Sequence, residues 1–359
     1  MSKSLNQLLM NEVIHIIPHD GVGGVEVAAR SMLKCDSLND NFKLFLIAGK
    51  SLNENKANVI ESPFSSANNP LAYLRGIFKI YSKTPDVLVC SLWRSIPIGV
   101  VIKLLRPKTK LVFFLHLAST VHLLDRYLHK LMLLYCDFIW ADSQATLNAR
   151  VNNVHSYQTQ VISFVTHKLN PLITVNNPAS LHFVFWGRIN HQKGLDRAIR
   201  FIKVLVSAGH HCKYDIWGRN DGEKEKLIDL INTLELTDYV EFKGLANYSD
   251  LQRISAMHSF YLQFSRSEGM AMSVLEAMQL GLIPVVTPVG EIENYCVNKR
   301  NSIVVYELDT FKEPVNFLVS ILKERKLFYG LRNEAINTWK NKPLYENDFI
   351  HSVNKLLID

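Results

Sequence analysis

Two series of short apolar segments, most of them separated by stretches with helical spacing, restrict this chain to parallel α/β architecture, because strands joined by helical crossovers produce that alternation. The first series runs through VIHIIP (Val13 to Pro18), KLFLIAG (Lys43 to Gly49), DVLVCSL (Asp86 to Leu92), KLVFFLH (Lys110 to His116) and DFIWADS (Asp137 to Ser143). After the first of these, the loop HDGVGG leads into VEVAARSMLK, whose apolar spacing suits a helix. The second series runs through HFVFWG (His182 to Gly187), KYDIWG (Lys213 to Gly218), YVEFKG (Tyr239 to Gly244), SFYLQFS (Ser259 to Ser265), IPVVTP (Ile283 to Pro288) and SIVVY (Ser302 to Tyr306). Between the two series, KLNPLITVNNPAS (Lys168 to Ser180) follows neither period and reads as a connection. The expectation is one α/β domain over residues 1–170 and a second over 180–333.

Five cysteines (Cys35, Cys90, Cys136, Cys212, Cys296) are widely spaced, include no CxxC pair and are odd in number. That pattern suggests neither a disulfide framework nor a zinc site, and it fits a reducing compartment. The N-terminal MSKSLNQLLMNEV lacks the apolar core and cleavage site of a signal peptide. A membrane-spanning helix needs about 20 predominantly apolar residues. Leu111 to Leu124 stops at Asp125, and the uncharged run Leu169 to Gly187 is interrupted by Pro171 and Pro178, so neither should span a bilayer. A cytoplasmic location is expected.

Residues 1–150 hold 17 Lys and Arg against 11 Asp and Glu, which places +6 of the formal net charge of +7 in that part of the chain. The clusters Lys79, Lys83 and Lys103, Arg106, Lys108, Lys110 contribute to it. These basic residues are scattered and accompany no nucleic-acid-binding signature. An anionic membrane surface or acceptor is the better match, and a moderately basic solvated surface is the plain alternative.

Two segments carry chemistry. In WGRINHQKGLDRAI, a strand is followed by Gly187 and Arg188, then by Lys193 and Gly194 just before a helix. Arg binds a diphosphate through its fork, Lys as a point charge, and a helix N-terminus through its free amides. Alone, the pattern is equally compatible with two solvated cations beside a turn glycine. In SRSEGMAMSVLEAMQLGLIPVVTPVGE, Glu268 lies in a loop and Glu276 about a turn into the helix from Ser273 to Leu280. Amides of Gly269, Met270, Ala271, Met272 and Ser273 are then free to donate to sugar hydroxyls or phosphate oxygens, and Glu276 suits a ribose diol. A first-turn acid answering the helix dipole would explain one glutamate, but it explains two framing a glycine loop less well.

Together these segments resemble family 4 of the glycosyltransferases, retaining enzymes of GT-B fold. The resemblance rests on Gly187-Arg188, Lys193-Gly194, Glu268, Glu276-Ala277, Gly281 and Pro284-Val285-Val286, in order and at the family's separations. In the first domain it is weaker: GVGGVEVAA is similar to the family's glycine-rich loop, FFLH to the strand that ends in a histidine, and WADSQATLNAR to a strand ending at a serine before a helix. It implies an α/β fold of GT-B type, two facing Rossmann-like domains with an inter-domain cleft, and a C-terminal helix from about Glu334 to the end (334–359) that packs back on the first.

It also implies roles. Arg188 and Lys193 would neutralise the diphosphate and Glu276 would hold the ribose. Glu268 with the amides of Gly269, Met270 and Ala271 would hold the sugar, and those of Met272 and Ser273 would reach the phosphates. Gly23 and Gly24 would face the donor phosphates, and His116 would contact the sugar. No metal and no cofactor beyond the nucleotide sugar is required, and a UDP-sugar is favoured because such donors are common in the family. The partners implied are a glycan or lipid-linked acceptor in surface polysaccharide or lipopolysaccharide synthesis. The motif often reads EGFG where this chain has Met270 and Ala271, and a G-G-x-P-E run is replaced by Gly290-Glu291-Ile292-Glu293-Asn294, so the donor sugar is left open.

A noncatalytic nucleotide-sugar-binding subunit and a sugar-nucleotide epimerase of the same fold are the alternatives. A dinucleotide enzyme fits poorly because GVGG lacks the full glycine fingerprint. His15 and His19 flank a strand end without converging on a metal, and Trp93, Trp140, Trp186 and Trp217 lie at strands, where core packing is their default role.

Overall fold

Each series of apolar segments folds into its own parallel sheet. The computed structural model describes residues 12–21, 23–35, 41–53, 56–120, 122–172 and 180–358. Residues 1–11 of the stretch read for a signal peptide and residues 173–179 of the expected connection lie outside the described residues. The chain divides into two units, Met1–Thr166 with Pro343–Asp359, and His167–Lys342.

The first unit contains β1 (Val13–Ile17), β2 (Phe42–Leu46), β3 (Val59–Ile60), β4 (Val87–Ser91), β5 (Lys110–Leu115), β6 (Phe138–Ala141) and β7 (Gln158–Val161). They pair in parallel in the order β3-β2-β1-β4-β5-β6-β7. Strands covered on both faces must be apolar at consecutive positions, which is why β1 and β4 are buried throughout. The winding reverses between β1 and β4, and such a reversal leaves a crevice beyond the carboxyl ends of the two strands. Neither β3 nor β7 is anticipated by the sequence reading. Both are edge strands, one of two residues and the other reading Gln-Thr-Gln-Val, so neither has the continuous apolar run used to find strands.

The second unit contains β8 (His182–Trp186), β9 (Lys213–Trp217), β10 (Val240–Gly244), β11 (Phe260–Gln263), β12 (Ile283–Val286) and β13 (Ile303–Val304), parallel and ordered β10-β9-β8-β11-β12-β13. Here the reversal falls between β8 and β11, the two strands whose following loops carry both motifs.

The expectation of one helix from about Glu334 to the end is corrected. Arg325–Lys340 is a continuous helix of the second unit, anchored where Trp339 Nε1 donates to Met278 Sδ at 3.3 Å, and that unit runs to Lys342 rather than 333. Only the later helix, Tyr345–Ile358, joins the first unit. There Tyr345 N donates to Val165 O at 2.7 Å and Ser163 N to Asp348 Oδ2 at 2.7 Å, while the Phe349 ring lies 5.9 Å from the ring of His15. The apolar face of this helix thereby closes one side of the first sheet, with Tyr345, Phe349 and Val353 buried.

Candidate functional site

The loops after β8 and β11 meet because glycine lets them. Gly194 has φ +63°, and a Cβ there would stand 1.9 Å from Phe264 O, so any side chain would force the loops apart. Arg266 ties them further: its amide donates to Gln192 O at 2.8 Å and its guanidinium forks onto Asp196 at 2.8 and 2.7 Å. Gln192 Nε2 returns a bond to Ser267 O at 2.8 Å. The result is a half-buried to buried ion pair, Lys193 Nζ to Glu268 Oε1 at 2.8 Å.

Glu268 is held through one oxygen. Oε1 also accepts from Ser265 Oγ at 2.7 Å and Gln263 Nε2 at 3.0 Å, whereas Oε2 has no hydrogen-bond donor among the described residues. A carboxylate fixed in this way presents its second oxygen as an oriented acceptor. The same network reaches Glu276. Gln263 Oε1 accepts from Ser273 Oγ at 3.0 Å and lies 2.9 Å from the Tyr261 hydroxyl, which is 3.0 Å from Trp186 O, and Trp186 Nε1 donates to Glu276 Oε2 at 3.0 Å. Desolvation pushes the Glu276 pKa up to about 7, against the opposing Trp186 hydrogen bond and the Lys193 charge.

Beyond Glu268 the chain turns into the helix Met272–Gln279, one residue earlier than the sequence spacing suggests. Gly269 O accepts from Glu291 N at 2.9 Å, and Tyr295 Oη donates to Met270 O at 3.0 Å with Ala271 O at 3.5 Å. In a trans peptide the N–H points opposite to the carbonyl of the preceding residue, so the amides of Met270, Ala271 and Met272 are turned away from the Glu291–Tyr295 segment. No hydrogen bond from the amides of Gly269 through Ser273 is formed among the described residues. Gly290, φ +59°, makes this anchoring possible, because a Cβ there would stand 2.2 Å from Glu268 O. Ala271 itself adopts φ +55°, a left-handed conformation that favours glycine.

Arg188 stands in the same loop as Lys193 but pairs with a different carboxylate. Its Nη1 lies 3.4 Å from Asp221 Oδ2, and the side chain is 43% exposed. Asn190 Nδ2 shares that carboxylate at 3.2 Å while Asn190 Oδ1 caps the short turn His191–Lys193.

In the first unit, His116 follows β5 at the carboxyl edge and is buried. Its Nε2 lies 2.8 Å from Ser91 Oγ, and His15 Nε2 lies 2.7 Å from the same oxygen. One hydroxyl has one proton, so it donates to one ring and accepts from the other, and the two imidazoles hold opposite tautomers. Burial drives both neutral, His15 down to about 3 and His116 well below the ordinary value, the latter helped by His15. The Nδ1 atoms of both are buried without a partner. The adjoining Leu92 adopts φ +65°, ψ 155°, a strained conformation at the end of β4.

Gly23 caps the helix Gly24–Ser31 with φ −76°, so the cap does not need a left-handed residue. A Cβ at Gly23 would stand 2.4 Å from Glu26 Oε2, which places that carboxylate over the helix N-terminus. Asp20 holds the glycine loop through Gly21 N at 2.9 Å and an ion pair with Arg30.

Sequence reasoning singled out both glutamates, Lys193 and the helix amides. It missed Ser265, Gln263, Trp186 as a donor, Glu291, Tyr295, Ser91 and the role of Gly290. The only available signal was the departure Gly290-Glu291 itself; Gln263, Trp186 and Ser91 come from strands, whose pattern marks burial and not hydrogen bonding, while Ser265 lies just beyond a strand and Tyr295 ends the short helix Ile292–Tyr295. Among the described residues no group of three or more His, Cys, Asp or Glu side chains gathers into a metal-binding cluster. Of the four tryptophans expected at strands, Trp140 and Trp186 are buried in the core, while Trp93 and Trp217 keep partial exposure.

Residues 174–329 match the family model described as glycosyl transferases group 1, so the second unit carries a domain of that kind. An uncharacterized glycosyltransferase of Methanocaldococcus jannaschii is 29% identical over 164 residues, 45% of this chain and 40% of that protein. The GtfA subunit of a UDP-N-acetylglucosamine–peptide N-acetylglucosaminyltransferase of Streptococcus parasanguinis is 27% identical over 120 residues, 33% of this chain and 23% of that protein. The matched regions thus span less than half the length of these curated relatives. The crystal structure of Anabaena HepE in complex with UDP and glucose matches with a TM-score of 0.78 at 15% identity, covering 96% of this chain and 99% of that one. At that identity the likeness shows the fold: two parallel-sheet Rossmann-like domains of the GT-B class.

Proposed function

We propose that the chain is a retaining family 4 glycosyltransferase that moves a sugar from a UDP-sugar to a hydroxyl of a glycan or lipid-linked acceptor, in surface polysaccharide or lipopolysaccharide synthesis. The observation that carries this reading is the segment Glu268–Ser273, whose carbonyls are held from one side by Glu291 and Tyr295 while its amides and Glu268 Oε2 are left for a ligand. The group 1 match of residues 174–329 and the UDP in the HepE complex support it.

In this reading the ribose diol donates to Glu276, a sugar hydroxyl donates to Glu268 Oε2, and the diphosphate lies against the helix N-terminus with Lys193 and Arg188. In the first unit, the proposed roles remain those of Gly23 and Gly24 toward donor phosphates and of His116, through its unpartnered Nδ1, toward the sugar. The bond from the anomeric carbon to the diphosphate oxygen breaks and its electron pair leaves with the diphosphate. The acceptor oxygen bonds to the same carbon and its proton passes to the departing phosphate oxygen. Amides and cations fixed before the reaction stabilise the growing charge without reorganising, which is where preorganised electrostatics lowers a barrier most. No metal is needed for that neutralisation.

The test is to incubate the purified chain with UDP-sugars, with and without glycan acceptors, following UDP release and the anomeric configuration of the product by NMR. Acceptor-dependent UDP release with retained configuration is expected. UDP binding without release would make the chain a noncatalytic subunit, and release from the donor alone with an altered sugar would make it an epimerase.

A further inference from the structure

The helix Leu123–Tyr135 is mounted with its polar side inward. Asp125, His129 and Met132 are buried against the rest of the unit, where Arg150 Nη2 lies 3.5 Å from Asp125 Oδ1 and donates to His129 Nδ1 at 2.9 Å, and His129 Nε2 donates to Arg150 O at 2.9 Å. That arrangement turns Leu123, Leu124, Tyr127, Leu131 and Leu134 outward, with Leu123, Tyr127 and Leu134 at 72%, 69% and 78% exposure. At 3.6 residues per turn these five fall within an arc of about 100°. Arg126 and Lys130, also exposed, border it on one side.

The neighbouring helices extend the surface. Pro70–Lys83 exposes Leu71, Leu74, Phe78 and Tyr81 on one face, with Lys79 and Lys83 exposed beside them. Ile96–Leu105, which packs between these two helices, ends in exposed Leu104 and Leu105, and the Arg106 guanidinium lies 4.3 Å over the Tyr81 ring. Residues 62–136 contain ten Lys and Arg but only two acids, Asp86 and Asp125. Asp125 is buried on Arg150, and Asp86 accepts from Glu12 N at 2.9 Å. Lys103 is not part of the rim, contrary to its place in the basic cluster read from sequence, because it pairs with Asp137 at 2.7 Å. An apolar stripe in a field where basic residues outnumber acids ten to two, with Asp86 as the exposed acid, disfavours a second copy of itself and complements an anionic, partly apolar surface.

We infer that the first unit lies on an anionic lipid bilayer through these helices, sinking Leu123, Tyr127 and Leu134 among the acyl chains while Arg126, Lys130, Lys79 and Lys83 meet the headgroups. No helix among the described residues is long and apolar enough to cross a membrane, and the attachment inferred from this exposed face is interfacial. In the chain, residues 116–122 separate the carboxyl end of β5 from this helix, so the start of the helix is tethered by a short linker to the carboxyl edge of the first sheet. The inference goes beyond the transferase reading and stands if that reading fails.

The experiment is cosedimentation of the full chain with vesicles of phosphatidylcholine alone or mixed with phosphatidylglycerol, at low and high salt, beside UDP calorimetry on the same preparations. The wild type is expected to pellet with the anionic vesicles. Leu123→Ser/Tyr127→Ser/Leu134→Ser should weaken partitioning by at least about tenfold, as three lost apolar insertions require. Arg126→Glu/Lys130→Glu should weaken it at least about fivefold and blunt its salt dependence. Both variants should keep wild-type circular dichroism and UDP affinity, since every changed side chain is exposed. Wild type left in the supernatant at low salt, or a serine variant that pellets like wild type, overturns the inference. So does a wild-type dimer in light scattering that the serine variant dissolves without any vesicle binding, which would make the stripe a protein interface.

Discussion

Lys193 Nζ donates to Glu268 Oε1 at 2.8 Å across two loops whose sequence positions are 75 residues apart. The cation proposed to meet the leaving diphosphate is therefore also the counter-charge of a buried carboxylate, and removing it should have two separable consequences. Arg188, half exposed and 3.4 Å from Asp221, has only one.

Lys193→Ala and Arg188→Ala should each lower kcat/KM at least about 100-fold, the size seen when one donor to a developing charge is removed. Urea unfolding should tell them apart. Lys193→Ala should cost about 1–3 kcal/mol because Glu268 loses its cation, whereas Arg188→Ala should stay within about 0.5 kcal/mol. Near-wild-type turnover in either variant would reject the assignment.

The two glutamates should divide the donor between them. Calorimetry with UDP alone should show a loss of at least about tenfold in affinity for Glu276→Ala and little change for Glu268→Ala, whose defect should emerge only with the intact UDP-sugar. Equal losses for UDP alone would remove the division.

The Glu276 carboxyl titrates at about 7 in the folded chain against an ordinary value of 4.5. An acid with a raised pKa binds more protons folded than unfolded between those values, so its contribution to stability falls as pH rises from 4.5 to 7 and is constant outside that window. Glu276→Gln should abolish that fall, which amounts to at most about 3 kcal/mol. UDP affinity should move the other way and rise through pH 7 in the wild type, since the ribose diol needs the ionised acceptor. Urea midpoints with identical pH profiles in the two proteins would show that Glu276 is not the titrating group.

Ser91→Ala removes the hydroxyl that sets both histidine rings. It should cost about 1–3 kcal/mol through two buried ring nitrogens left unpaired, and it should lower kcat with little effect on UDP binding. The conservative Ser91→Thr should restore part of the rate. A drop in UDP affinity equal to the drop in rate would argue for general disruption instead.

Ala271→Gly should relieve a left-handed alanine, offsetting about 1 kcal/mol of backbone strain against the greater freedom of glycine in the unfolded chain. Melting should show no net destabilisation. Removing the Cβ beside the amides should also broaden the range of UDP-sugars accepted in a thermal-shift screen; an unchanged range would show that residue 271 does not shape the sugar site.

The sequence by itself determined the two parallel sheets, because strands covered on both faces cannot hide their apolar runs, and it singled out the loops after β8 and β11 as the candidate site, because Arg188, Lys193 and Glu268 follow strand ends beside glycines and Glu276 lies in the helix that comes next. Tertiary structure decided the rest. The edge strands β3 and β7 are recruited by neighbours and need no apolar pattern of their own, and Arg325–Lys340 stays with the second unit because Trp339 is anchored there. That Ser91 serves two histidines, that Gln263 links both glutamates, and that Glu291 and Tyr295 turn the loop carbonyls away follows from strand order and close approach. Hydrophobic periodicity reports which side of an element is buried, but hydrogen bonds between residues far apart in the chain depend on distances of a few ångströms that only the packed fold sets.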